Sequence, residues 1–357
     1  MATQPQQAPL SQIGLRAAVP PVTRLLIALN LLVFVLMLWG GAGFWHSPNN
    51  VQLTWGANFA PATADGQWWR LASAMFLHFG ALHLGMNMLA LWDGGKLVER
   101  MFGPARFLGI YLVSGVAGNL LSLVIQGNQA VSGGASGAIF GIYGALLVYV
   151  WYSRHQMQRQ EFRWLFWGAM AFSALTIAMG FIIPGIDNSA HIGGFVTGIV
   201  FAVLCLPATA VRHQHLQRWR LISAISWLLG IAILLGHLPE PKYRWHEEQA
   251  IRKQVQKFTL IDQQANRKWN AIMLEGREGT VSFDEMATQI DQQVANTYEE
   301  SFERLSSLPD DPNLPSAPLL EQAKAYALKR SEDSKAAADK LRNIPFMPGR
   351  AAPGSAQ

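Results

Sequence analysis

The sequence predicts an all-α polytopic membrane protein, seven membrane-spanning helices followed by a mostly helical polar domain. Three observations carry this. Only 14% of the 357 residues are charged, where a soluble globular chain averages about 25%. Half are hydrophobic, and they gather into runs long enough to cross a bilayer core of about 30 Å, which takes about 20 helical residues. The charges that remain are unevenly placed. Residues 1–239 hold 12 Lys+Arg and 5 Asp+Glu, about 7% of that stretch, whereas residues 240–357 hold 16 and 18, about 29%. A disordered or collagen-like chain is thereby excluded. Because the basic excess sits in the apolar part, nucleic-acid binding is a poor explanation of it. The single cysteine, Cys205, leaves no intrachain disulfide framework and no Cys-based zinc site.

Taken in order, residues 1–22 are polar and Pro-rich without a signal-peptide cleavage pattern, and read as a flexible tail. Apolar segments follow at 24–41, 81–101, 104–126, 136–152, 162–183, 190–206 and 220–238, the second being the least hydrophobic. Of the 12 Lys and Arg before residue 240, eleven (Arg16, Arg24, Lys96, Arg100, Arg106, Arg154, Arg159, Arg163, Arg212, Arg218 and Arg220) fall on one side of these spans and only Arg70 on the other. The positive-inside rule then places the N-terminus in the cytoplasm. Seven spans put residues 240–357 on the far side, with loops 42–80, 127–135 and 184–189 facing outward. A cytoplasmic linker and the seventh helix occupy 207–239. Residues 240–344 carry helix-period segments at 247–275, 283–307 and 318–343, broken by LEGREGTVS and PDDPNLPSAP. Trp269, Ile272 and Met273 are candidates to seed a small core there. Residues 345–357 read as a disordered tail. The absence of a transit-peptide pattern favours a bacterial cytoplasmic membrane.

Three polar features lie at or near the outward ends of spans. In GGASGAIFG, Ser136 sits between Gly134 and Gly137 at the start of the fourth span. That span has only about 17 apolar residues, about 25 Å of helix, so its N-terminus should begin below the outer membrane surface. Irregular backbone at that depth is tolerated where protein covers it or where it lines a watery cavity, and helix-terminal N–H groups point at any anion developing there. In SAHIGGFVTG, His191 starts the sixth span; an ionisable side chain inside a span is costly and marks a functional path or partner. Gly194 and Gly198 form a small-residue face, as do Gly137 and Gly141, so the two helices can approach closely. That approach would bring Ser136 and His191 into hydrogen-bond range, the arrangement of an activated nucleophile. In HFGALHLGMN, His83 and Asn87 share a helix face and both can donate to an oxyanion. Each feature alone has a bland reading as packing, capping or an interfacial histidine. Their convergence on one membrane face, each supplying a different part of acyl transfer, favours chemistry.

These residues resemble the rhomboid family of intramembrane serine proteases over roughly residues 20–206. The resemblance rests on Trp69 and Arg70 before the second span, on the His78, His83, Asn87 run, on Gly134, Ser136 and Gly137, and on Ala190, His191, Gly194 and Gly198. It implies a six-helix rhomboid-like bundle over 23–206. Ser136 would be the nucleophile and His191 the general base, a dyad without an acidic partner. His83, Asn87 and the Ser136 N–H would make the oxyanion hole, and Trp69 and Arg70 would belong to a membrane-embedded first loop. Phe140 stands where many members carry Tyr; it can stack on His191 but cannot donate a hydrogen bond. The implied reaction is cleavage of transmembrane-segment substrates near the outer membrane face through an acyl-enzyme, with the bilayer and transmembrane proteins as partners and neither metal nor cofactor. An inactive rhomboid-like protein that binds or routes membrane clients is the alternative. A zinc protease built on His78, His83 and His191 is disfavoured by the lack of H-E-x-x-H, and a transporter by the lack of paired intramembrane charges.

Overall fold

The computed structural model describes residues 20–207 and 216–344. The expected tail within residues 1–19, Arg16, Arg212 and the expected tail at 345–357 lie outside the described residues. The chain divides into two compact units with the boundary between Pro241 and Lys242.

In the first unit α1 (Pro21–Trp39) opens on a proline at its first position, where the missing N–H costs nothing. Its start is capped from elsewhere: the buried Glu99 carboxylate accepts from the Val22 N–H (3.0 Å), the Thr23 N–H (2.7 Å) and the Thr23 hydroxyl (2.8 Å). A negative group at a helix N-terminus meets both the orphan donors and the positive end of the dipole.

Between α1 and the next long helix the sequence suggests only an outward loop over 42–80. The structure differs, building three short helices there, α2 (Asn49–Trp55), α3 (Ala60–Ala64) and α4 (Arg70–Ser73), and a 3₁₀ turn, Ala74–Phe76. They are too short to show a hydrophobic period and are held by tertiary bonds. Arg70, only 2% exposed, donates to the Leu53 and Ala57 carbonyls and to Gln67 Oε1.

The bundle continues with α5 (Ala81–Phe102), α6 (Pro104–Gln126), α7 (Ser136–Ser153), α8 (Arg159–Ile182), α9 (Asn188–Cys205) and α10 (Leu216–Gly236). Six helices (α1 and α6 to α10) are long and apolar enough to cross a membrane, with mean hydropathy between 1.3 and 2.3. α5 meets that test only together with the segment Arg70–Phe76, from which it is bent by 93°. Its charges Asp93, Lys96, Glu99 and Arg100 dilute its apolar character. The protein is an integral membrane protein with an all-α polytopic fold.

α7 is the central helix, burying 14 of its 18 residues. α9 lies along it so closely that a methyl group added to Gly194 or Gly198 would run into the Gly137 or Gly141 carbonyl oxygen. Such backbone contact lets dispersion and weak polar terms hold helices together where lipid supplies no hydrophobic drive. α8 buries only Ala169 and Ser173, and α10 only Leu216.

The second unit is a helical assembly of α11 (Trp245–Glu278), α12 (Phe283–Ile290), α13 (Asn296–Ser306) and α14 (Ala317–Arg342). A π-helical turn, Asp291–Ala295, interrupts the run between α12 and α13; periodicity alone gives one continuous helix there. Ile272 is buried in the core, with Trp269 and Met273 packed against it. The core centres on Ile251, Ile290, Val294, Tyr298 and Ala327, drawn from all four helices and the π turn. Buried Glu248 pins the start of α14 by accepting from the Ser316 N–H (3.0 Å) and hydroxyl (2.6 Å). Asp262 Oδ1 accepts from both Tyr298 (2.7 Å) and Tyr326 (3.1 Å). Burial and that carboxylate push the Tyr298 hydroxyl up to about 12.

Candidate active site

Ser136 is the first residue of α7, so its backbone N–H is among the donors with no partner inside the helix. The chain reaches it through 127–135, an irregular stretch covered by the α2 to α4 region. Ser132 exchanges both backbone hydrogen bonds with Asn58 (2.8 Å each), and the Gly134 N–H donates to the Ala74 carbonyl (2.8 Å). Gly134 has φ +143°, a conformation that favours glycine. A side chain there would also meet the His83 imidazole at 2.9 Å and the Ser136 hydroxyl at 3.7 Å. The space left by the missing side chain is therefore bounded by both groups.

His191 enters from the first turn of α9, one turn after the Asp187 N-cap. Its Nε2 lies 2.9 Å from Ser136 Oγ. The ring is 5% exposed and stacks on Phe140 with centroids 4.4 Å apart and planes 14° from parallel, which restrains it to face the serine. Nδ1 of His191 is buried without a hydrogen-bond partner.

His83 stands on the first turn of α5. The Phe79 N–H points at its Nδ1 from a long 3.5 Å, which favours the tautomer with the proton on Nε2, the nitrogen beside Gly134. His78 packs edge-on against it, ring centroids 5.1 Å apart. Asn87, 6% exposed, lies one turn further along α5 and donates its side-chain amide to the His83 carbonyl at 3.0 Å. The amide has a second N–H to offer. Arg70 braces the α2 to α4 region while the half-exposed Trp69 ring lies 4.9 Å from its guanidinium. Among the described residues no three His, Cys, Asp or Glu side chains gather to hold a metal ion, so His78, His83 and His191 do not form a ligand set.

Sequence reasoning passed over Asp187. Its Oδ2 accepts from the Ser122 hydroxyl (2.5 Å) and the Ser132 hydroxyl (2.6 Å), and its Oδ1 from the Ala190 N–H (3.0 Å). An Asp three residues ahead of an apolar helical run is a readable N-cap signal; its two serine partners, from α6 and from the loop ahead of α7, are not readable from spacing.

Fold and site together define a class: a polytopic helical membrane protein in which a serine at one helix start is apposed to a histidine on a neighbouring span. Residues 65–208 match the family model described as Rhomboid domain. The chain is 37% identical over 238 residues to the Bacillus subtilis protein named rhomboid protease GluP, covering 66% of this chain and 44% of that one. It is 30% identical over 255 residues to rhomboid protease AarA of Providencia stuartii, covering 66% of this chain and 89% of that relative. A third relative, the putative rhomboid protease YdcA of Bacillus subtilis, is 37% identical over 150 residues, with 42% of this chain and 73% of the relative covered. The chain belongs to the rhomboid family.

Proposed function

We propose that this protein is an intramembrane serine endopeptidase that cleaves transmembrane-segment substrates with Ser136 as nucleophile and His191 as general base. The observation that carries the reading is the 2.9 Å approach of Ser136 Oγ to His191 Nε2 within a bundle of membrane-crossing helices. A serine hydroxyl is a weak nucleophile until a base can take its proton as the new bond forms. His191 Nε2 takes that proton while Oγ attacks the substrate carbonyl, and returns it to the leaving amine. Water then releases the acyl group by the same two transfers in reverse roles. The negative charge that appears on the carbonyl oxygen needs donors in place beforehand. The donors proposed for that role are the His83 Nε2, which borders the space beside Gly134, the Asn87 amide, which bonds the His83 carbonyl, and the Ser136 N–H, which has no partner inside α7. No metal or cofactor enters these steps.

The names of the relatives support the same activity: GluP and AarA are each called rhomboid protease. The distribution of Lys and Arg supports a cytoplasmic N-terminus and an outward-facing site. With α5 counted as a span, residues 240–344 then lie outside the cytoplasm.

The test is cleavage of a single-span reporter by the purified protein in lipid, alongside labelling of Ser136 by a serine-directed fluorophosphonate. Ser136→Ala and His191→Ala should each abolish both signals while the protein still inserts and folds. A wild-type protein that neither labels nor cuts any reporter would favour the other reading, a rhomboid-like protein that binds or routes membrane clients.

A further inference from the structure

The Ser136–His191 hydrogen bond has one counterpart, four residues earlier on each of the two chain segments that carry it. Ser132 lies four residues before Ser136 and Asp187 four residues before His191, and Ser132 Oγ donates to Asp187 Oδ2 at 2.6 Å just as Ser136 Oγ and His191 Nε2 meet at 2.9 Å. The two bonds are rungs between the same two chain segments. The Asp187 rung is anchored further: Ser122 of α6 donates to the same oxygen at 2.5 Å, and Ala190 N–H to the other oxygen at 3.0 Å. The His191 N–H in turn donates to the Asp187 carbonyl at 3.2 Å, and Ser132 is fixed through its own backbone to Asn58. One carboxylate therefore joins α6, the loop that delivers the nucleophile and the helix that delivers the base.

A literal triad is excluded by the geometry. Asp187 spends both oxygens on Ser122, Ser132 and Ala190, and His191 Nδ1 has no partner. We propose that Asp187, through Ser132, is the positioning residue of the dyad: it sets the separation and orientation of Ser136 and His191 without touching the reacting atoms. This rests on the dyad reading above. Hydrogen bonds from hydroxyls to a carboxylate are shorter and about twice as strong as neutral pairs, and a displacement of about 1 Å between reacting groups can cost about 100-fold in rate.

The experiment measures the rate of fluorophosphonate labelling of Ser136 in the full-length protein in lipid, with kcat and KM on a single-span reporter. Asp187→Ala should slow labelling about 10- to 100-fold and lower kcat with KM within about twofold, because binding is left alone while alignment is lost. Asp187→Asn keeps an oxygen for the Ala190 N–H and an amide for a serine, and should recover most of that loss. Ser132→Ala retains the backbone pairing with Asn58 and should slow labelling about 3- to 10-fold. Combined with Asp187→Ala it should add nothing, the signature of two residues acting through one contact. Wild-type labelling in Asp187→Ala, or full additivity of Ser132→Ala and Asp187→Ala, would overturn the proposal. If Asp187→Ala fails to insert, Ser132→Ala carries the test, and labelling at the wild-type rate there overturns the proposal equally. A wild-type protein that never labels refutes the dyad itself, a different result from variants that label as well as wild type.

Discussion

α7 and α8 are neighbours in sequence and in space, yet they belong to the bundle in opposite ways. α7 buries 14 of 18 residues and meets α9 backbone to backbone at Gly137 and Gly141. α8 is 24 residues long and buries two of them. It touches α7 mainly through rings: Phe172 stacks on Tyr143 at 4.2 Å and lies 6.1 Å from Phe140. A helix held by backbone contact has no slack, because interiors are close-packed and an added methylene must displace something. A helix held by a few side chains can shift by re-choosing rotamers. Ser136 and His191, the dyad we propose, sit on the first kind of pair, so their geometry is held by backbone contact while the helix next to them is held by side chains.

That contrast can be broken at the seam first. Gly198→Leu or Gly194→Leu should abolish Ser136 labelling, a loss beyond about 100-fold, as the overpacked helices part and carry His191 from Ser136. Labelling at the wild-type rate would mean that α7 and α9 do not set the dyad.

The proposed oxyanion donors on α5 come next. His83→Ala should lower kcat by about 100-fold and Asn87→Ala by about tenfold, within the range for a lost oxyanion donor. The order follows from geometry, since the His83 ring borders the Gly134 space directly while the Asn87 amide already bonds the His83 carbonyl. Reporter kinetics in lipid check it, and the reverse order would place Asn87 nearer the oxyanion.

On α8 the expected effects are smallest. Phe172→Ala removes the ring contact with α7 and should change kcat about threefold. Phe181→Ala, at a residue 77% exposed, should stay within about twofold. A large loss at Phe181 would show that α8 bears on the chemistry by a route other than packing.

Most of the membrane-spanning architecture is legible in the sequence because scarce charge and long apolar runs are direct signatures of a bilayer. Helices α1 and α6 to α10 begin and end within a few residues of the apolar segments. Ser136, His191 and the paired glycine faces are legible for a related reason: polar and small residues stand out against an apolar background. What escapes is what depends on partners distant in sequence. The elements between residues 49 and 76 are too short to show a period and rest on Arg70 reaching carbonyls 13 and 17 residues away. Asp187 meets Ser122 and Ser132 across 65 and 55 residues, and no local pattern announces such a meeting. The π turn Asp291–Ala295 is five residues long, shorter than the window over which a hydrophobic period can be read.

Glu99 carries a consequence for synthesis. The first membrane helix leaves the ribosome with its opening N–H groups uncapped, and the carboxylate that will receive two of them follows 76 and 77 residues later. Until α5 is in the bilayer and has been turned to bring Glu99 to Val22 and Thr23, the start of α1 has only water or headgroups to satisfy it. The cap that completes the start of α1 thus arrives only with α5.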